Sequence, residues 1–414
     1  MREEENNADS DALRLPKWLT DPECAGPIVH LRAGERNGGE DASVGDGVQA
    51  ALAAALNEVH HEDAGEAGLI KVHIGEPKCT TRMRPAYAHG AAEFLCDRGA
   101  ESVVSGDTTV AYTGRRGHKS NPPGDASTYR QLAREQGWSV DGPAAVPFVV
   151  LDRPSTSRET GLDFDVEYRE RVVSNDGAFH DFHPAGGFLS ADCTVNFAHL
   201  TLHGLAGVAG CVKSIAMGCA ALPGKLRMHQ SLRPVFDEER CTACGLCVEN
   251  CPENALALPD DADTPIVDPA SCIGCGECEA VCAPGNAAVR LEGETITDWE
   301  RGQDTLPVRM ADYAVGLMNG RWEDTVHVLH MYDITERCDC LNMRQEPMTR
   351  DLGFLVGKNP FAIDRLGGQL LRNALEGGSQ DAEDKLLRTA EMAARHANET
   401  FGITEEVPVV EREL

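Results

Sequence analysis

Two stretches decide how this chain is divided: CTACGLCVENCP, residues Cys241–Pro252, and SCIGCGECEAVCAP, residues Ser271–Pro284. Both repeat the spacing C-x2-C-x2-C-x3-C. Three cysteines so spaced wrap a loop around one face of a cubane, and the fourth points elsewhere from the helix that follows. Where two such runs occur together, the fourth cysteine of each ligates the other's cluster. Cys241, Cys244, Cys247 and Cys282 are therefore assigned to one [4Fe–4S] cluster, and Cys272, Cys275, Cys278 and Cys251 to a second. Paired C-x2-C units also bind zinc. Zinc, however, needs neither a third cysteine on the same spacing nor a fourth just before proline. The one departure is Ala283, which separates Cys282 from Pro284 and removes no ligand.

Working outward, each run is flanked in the same order by short apolar strands. Pro234–Phe236 and Pro265–Val267 precede the runs, and Ala255–Leu258 and Ala287–Leu291 follow them. Such an internal repeat is what a pseudo-twofold ferredoxin-like module requires, here residues 233–292. The chain has 414 residues, so about 350 remain outside that module, enough for a large core of their own.

Composition narrows the class. A net charge of −29 argues against nucleic acid as a partner, because phosphate binding needs a basic surface. Arginines outnumber lysines thirty to eight, which fits salt adaptation or a GC-rich genome. Sixteen cysteines would suggest disulfides in a secreted protein, yet eight are committed to iron. The N-terminus MREEENN has no apolar signal region, and no apolar run reaches the length of a membrane span. A protein of a reducing cytoplasm, with no membrane partner, is expected.

Residues 1–24 are polar, acidic and aperiodic, and are expected to be disordered or loosely attached. From there strand and helix patterns alternate. Strands are expected at 27–31, 68–74, 101–105 and 145–151, and helices at 44–59, 86–98 and 128–137. A further strand is expected at 194–197. Beyond the cysteine runs come a helix at 310–318, strands at 326–331 and 352–356, and a helix at 361–375. This alternation implies βαβ units and a mostly parallel sheet. The expected fold is thus an α/β domain in two parts, residues 25–232 and 293–375, interrupted by an α+β module carrying two [4Fe–4S] clusters. Residues 376–414 are read as a charged helix and a solvent-facing acidic tail.

Ligands bind at the carboxyl ends of strands in such sheets, which directs attention to KVHIGEPKCTTRMRP, residues 71–85. Lys71, His73 and Glu76 lie on or just after one strand end, and Asp107, Thr108, Tyr112, Arg115 and Arg116 follow the next. The plain alternative is a charged surface loop. In the segment 188–229, His203, Lys213, Cys219, Lys225 and His229 stand among glycines and apolar residues. Lysines in such surroundings are costly unless paired; the alternative there is a tight helix pair with snorkelling lysines. Cys338 and Cys340, in the tripeptide CDC, can be buried thiols, a redox pair, or metal ligands completed by Cys219.

The segments IKVHIGEP (70–77), HLTLHGLAGVAGCVKSIAMGCAALPGKLRMH (199–229), the double cysteine run, CDC (338–340) and LGFLVGKNPFAID (352–364) together resemble the uncharacterised iron–sulfur centre family built on domain of unknown function 362. The resemblance implies an α/β domain interrupted by a two-cluster module, and supplies no reaction. It implies site roles for Lys71, His73, Glu76, His203, Lys213, Cys219, Lys225, His229, Cys338 and Cys340. One departure is AGCVKS at 209–214, where the family pattern GGALKN would be expected; Cys211 is extra and the asparagine is replaced by Ser214.

The leading functional expectation is a redox protein, a ferredoxin-linked oxidoreductase, that feeds single electrons to a site on the α/β domain. There Cys219, Cys338 and Cys340 would serve as thiolate ligands of a third metal centre or as redox thiols. Lys213, Lys225 and His229 would stabilise charge or move protons. The alternatives are a non-catalytic carrier docking a partner oxidoreductase, and a protein that carries a metal or cofactor. The expected partner is a redox protein or a small-molecule substrate. No dinucleotide fingerprint, P-loop or nucleophile elbow is present.

Overall fold

The computed structural model describes residues 11–33, 46–112, 114–138, 146–156, 161–204, 206–229, 233–251, 253–259, 261–269, 271–272, 274–282, 285–292, 306–375 and 380–414. Eight strands form its central sheet: β1 (Ile28–Arg32), β2 (Ala67–Lys71), β3 (Ser102–Asp107), β4 (Phe148–Val150), β5 (Cys193–His199), β6 (Thr325–Met331), β7 (Gly353–Gly357) and β8 (Val409–Glu413). Their spatial order is β8-β1-β7-β6-β5-β2-β3-β4. All pairings are parallel except those of β7 with β6 and β1. Every residue of β5, β6 and β7 is buried, as expected of strands covered on both faces.

Alternate side chains serve the two covering layers. Ile70, Val195, Phe197 and Val326 meet α1 (Asp46–Val59), α2 (Ala88–Asp97) and α3 (Ser127–Glu135) in one core. Leu69 and Val149 face a second core that includes α4 (Cys211–Ala216), α5 (Leu222–His229) and α6 (Leu306–Leu317). Leu329 and Leu355 join Ile363 and Leu371 of α7 (Pro360–Ala374) and Ala390 of α8 (Gln380–Phe401).

The chain lays down β2, β3 and β4 in one direction across the sheet, then returns to place β5 on the opposite side of β2. That reversal creates a topological switch point between β2 and β5, where an open parallel sheet leaves a crevice outside its strand ends. The cysteine-rich segment lies outside the sheet, since β5 before it and β6 after it pair directly. It forms two antiparallel strand pairs, Arg233–Phe236 with Val289–Glu292 and Leu256–Ala257 with Ile266–Val267, plus short helices at Leu246–Glu249 and Glu277–Cys282. Cys247, Leu256, Cys278 and Leu291 belong to the same apolar core as Val212, Ile215 and Leu306 of the sheet domain.

Two expectations about the ends are corrected. Residues 11–24 are attached rather than loose: Asp11–Ala12 pairs with Arg171–Ser174, Leu19 is fully buried, and its carbonyl accepts the Thr404 N–H. A single anchoring leucine in a polar segment leaves no periodic signal. The remainder of the expected disordered segment, residues 1–10, lies outside the described residues, as do 293–305 and 376–379. The terminal tail faces solvent with its side chains, but it is not loose, because Val409–Glu413 adds β8 to the sheet beside β1. Its side chains are mostly exposed and charged, a usual protection for an edge strand. Among the described residues no helix is long and apolar enough to cross a membrane.

Asn359 ties the last segment to the sheet domain. Its Oδ1 accepts the Phe361 and Ala362 N–H groups at 3.1 Å each, and its Nδ2 donates to the Thr404 carbonyl at 2.8 Å. Asn359→Ala removes a cap and orphans a buried carbonyl, so a loss of about 1–3 kcal/mol is expected in denaturant unfolding. A shift within a few tenths of a kcal/mol would refute this account.

Candidate functional site

A cleft of about 900 Å³ opens at the switch point. The ends of β2, β3 and β5 supply Lys71, Asp107 and His199, and the loop after β6 supplies Cys338 and Cys340. From α4 and α5 come Lys213, Ser214, Lys225 and His229.

The floor is an ion network. Asp107 meets Lys71 Nζ at 3.1 Å with one oxygen and Arg116 Nη2 at 3.2 Å with the other. The second oxygen also accepts the Tyr129 hydroxyl at 2.7 Å, and Arg116 reaches Glu76 at 3.3 Å. Lys71, Glu76, Asp107 and Arg116 are each at most 2% exposed. The surface-loop alternative is therefore wrong for these residues. Burial alone would raise the pKa of Asp107, but Lys71, His73 and Arg116 outweigh it and hold the carboxyl well below its ordinary value. Glu76 is raised, because burial outweighs Arg116. His73, half-buried beside the Arg116 cation, is lowered, first by its desolvation and then by that cation. Gly218 makes room for this floor, since a methyl group there would lie 2.5 Å from Lys71 Nζ.

The two lysines of the wall differ in their partners. Lys225 Nζ donates to Thr108 Oγ1 at 2.7 Å and to the Ala220 carbonyl. Burial lowers it to about 8. Lys213 Nζ donates to Cys338 Sγ at 3.2 Å; burial would lower it, yet Cys338 and Cys340 raise it. Lys225 is buried and Lys213 half-buried, and both ammonium groups are held by partners in the cleft, contrary to the snorkelling alternative. Cys338 lies well below the ordinary thiol range, first because Cys340 donates to it and then because Lys213 stands beside it. Cys340, the donor of that bond, is pushed well above. Burial lowers His203 to about 3 and His229 to about 4, so both rings are neutral.

His203, Cys338 and Cys340 bring a donor atom each to within 4.8 Å of one another, a group that can hold a metal ion. Cys219 does not join it. That thiol is buried in the core beneath the cleft, and burial pushes it up to about 12. Sequence reasoning also missed why the CDC loop is rigid. Asp339 is itself buried, and His199 Nδ1 meets its carboxylate at 2.7 Å while His199 Nε2 donates to the Tyr332 carbonyl. Asp107, Thr108 and Arg116 were visible as residues after a strand end, but nothing local marked them as buried. Ser214 lines the cleft, and its Oγ has no hydrogen-bond partner among the described residues.

The two cysteine runs share a backbone signature. The residue before the second cysteine has positive φ in both, Ala243 at 51° and Gly274 at 67°, as does the residue after it, Gly245 at 75° and Gly276 at 81°. Such turns wrap each loop tightly. The fourth cysteines also correspond, with Ala255 N–H donating to Cys251 Sγ and Ala288 N–H to Cys282 Sγ, each at 3.2 Å. Cys251 leaves its own run to line a second cavity, of about 350 Å³, with Cys272, Cys275 and Cys278. Burial, with the charges of Cys241 and Cys244 adding to it, pushes Cys247 up to about 11. Cys275 lines both cavities.

Residues 69–368 match the model of a family described as domain of unknown function (DUF362). No curated protein matches the chain. Among solved structures it is similar to a Thermotoga maritima protein from a structural genomics consortium, at 9% identity and a TM-score of 0.34. The match covers 85% of this chain and 58% of that protein, so the chain spans less than two thirds of its length.

Asp107→Asn would leave Lys71 and Arg116 buried with one counter-charge fewer. A loss of about 3–5 kcal/mol in denaturant unfolding is expected. Because the folded-state pKa of Asp107 is lowered, its contribution is fully present above the unfolded value and is lost only as pH falls through the lowered one. The difference between wild type and variant should therefore stay level from about pH 5 to about pH 8 and shrink only in stronger acid.

Proposed function

The chain belongs to the DUF362 family, and from that premise we propose that it is an iron–sulfur protein which holds two [4Fe–4S] clusters and delivers single electrons to a ligand in the switch-point cleft. Residues 233–292 are the ferredoxin-like module, inserted between the two parts of the α/β domain, residues 25–232 and 293–375. Cys272, Cys275, Cys278 and Cys251 hold one cluster; Cys241, Cys244, Cys247 and Cys282 hold the other. When bound, the clusters supply one electron at a time at low potential.

The donor set fits such a group. Four thiols line a small cavity whose other walls include Pro234, Ala255, Leu256 and Leu291. Burial and the neighbouring charges of Glu277, Cys251 and Cys272 oppose ionisation of Cys275 and push it up to about 11. Thiols so crowded are stabilised as thiolates by a cationic iron core.

The observation that carries the reading is the position of Cys275, in the wall of the cleft as well as in the four-cysteine cavity. A carrier that only docks a partner would have no use for a cysteine ligand facing an enclosed site of lysines, histidines and thiols. In that site Lys213 and Lys225 neutralise developing negative charge, the neutral His229 accepts or relays protons, and the neutral His203 offers a hydrogen-bond donor.

Anaerobically purified protein should contain about eight irons and eight acid-labile sulfides per chain. Cys251→Ser and Cys275→Ser should each remove the same paramagnetic species, since the crossed pairing gives them one cluster. Zinc in place of iron, or loss of different species in the two variants, would overturn the assignment.

A further inference from the structure

We propose that Cys338 and Cys340 form a dithiol/disulfide couple in which Cys338 is the attacking thiolate toward a small disulfide substrate in the cleft. The proposal rests on the iron–sulfur reading for its source of electrons, but not for the chemistry of the thiols.

Three observations carry it. Cys338 and Cys340 flank Asp339, whose buried carboxylate is anchored by His199 at 2.7 Å, and both sulfurs line the cleft on the loop so fixed. The two sulfurs lie within 4.8 Å of one another, and the Cys340 backbone N–H donates to Cys338 Sγ at 3.4 Å. Lys213 Nζ lies 3.2 Å from Cys338 Sγ, the position of a cation that favours a thiolate at this sulfur over the other.

His203 decides between a redox pair and a metal site. Its Nδ1 accepts the Ala206 N–H at 3.1 Å, so the neutral ring carries its proton on Nε2. In that tautomer the imidazole presents a hydrogen-bond donor to its surroundings, whereas a metal ligand needs a lone pair there. A disulfide spanning a single residue closes a very short loop, and strained bridges are the readily reduced ones.

The chemistry balances as follows. The Cys338 thiolate attacks one sulfur of R–S–S–R′, the S–S bond breaks, and R′–S⁻ leaves. Cys340 passes its proton to a released thiolate and attacks Cys338 Sγ, expelling R–S⁻ and leaving the Cys338–Cys340 disulfide. The substrate has then gained two electrons and the protein has lost them. Two electrons from a low-potential one-electron donor and one proton restore the thiolate and the thiol; a cluster that Cys275 would help to hold would supply such electrons. Lys213 stabilises the negative charge that returns to Cys338.

The test uses the full-length protein under anaerobic conditions. Protein reduced with dithionite and desalted is treated with one equivalent of hydroxyethyl disulfide and mapped by mass spectrometry. A Cys338–Cys340 bridge is expected, and about two equivalents of reduced methyl viologen per chain should then be consumed as the bridge opens, beyond those taken up by the clusters. Cys340→Ser should instead trap the mixed disulfide on Cys338, and Lys213→Met should slow alkylation of Cys338 at neutral pH by about tenfold or more. Absence of the bridge from oxidised wild-type protein would overturn the proposal without relying on any variant. So would one equivalent of a non-cluster metal that disappears in Cys338→Ser. A bridge that forms in protein lacking sulfide-bound iron would instead keep the thiol couple and reject its electron source.

Discussion

The carboxylate of Asp107 governs the layout of the cleft. Lys71 and Arg116, from separate segments, both reach it, and Tyr129 donates to the oxygen shared with Arg116. Isolated charges cannot be taken out of water at acceptable cost, so two enclosed cations require enclosed anions at fixed geometry. The ends of β2 and β3 are thereby locked together at the depth where a ligand would enter. Glu76, whose carboxyl is raised by burial, is a poorer counter-ion than Asp107, and the floor is left with cationic character. Lys225, held by a hydroxyl and a carbonyl, adds to it.

A second constraint is topological. Because β5 returns to the far side of β2, the loops after β2, β3, β5 and β6 emerge on one edge of the sheet, and chemistry contributed by residues 71 to 340 converges there. The His199–Asp339 contact extends the rigidity of β5 to the loop after β6. Two thiols on an otherwise irregular loop thus acquire the positional precision of a strand end. The cysteine-rich segment needs no place in the sheet to take part, since its own apolar residues continue the core that supports α4 and α6. That shared core presses one of its cysteines into the cleft.

The chain itself determined much of this. The strands and helices of the α/β domain were legible because buried parallel strands are β-branched apolar runs, and the helices between them keep their own period. The eight cysteines were legible because their spacing is local, within two short runs. Lys71, His73, Lys213, Lys225, His229 and Cys338 were legible as unusual polar residues in apolar or strand-end settings. Tertiary structure alone decided which of them meet. His203 rather than Cys219 accompanies Cys338 and Cys340; Asp107 and Arg116 are floor rather than surface; Leu19 and Val409–Glu413 anchor two ends whose composition reads as loose. Each of these depends on contacts between residues far apart in the chain, and the energy that settles them, the cost of burying a charge or the gain from one apolar side chain, leaves no periodic mark on the residues nearby.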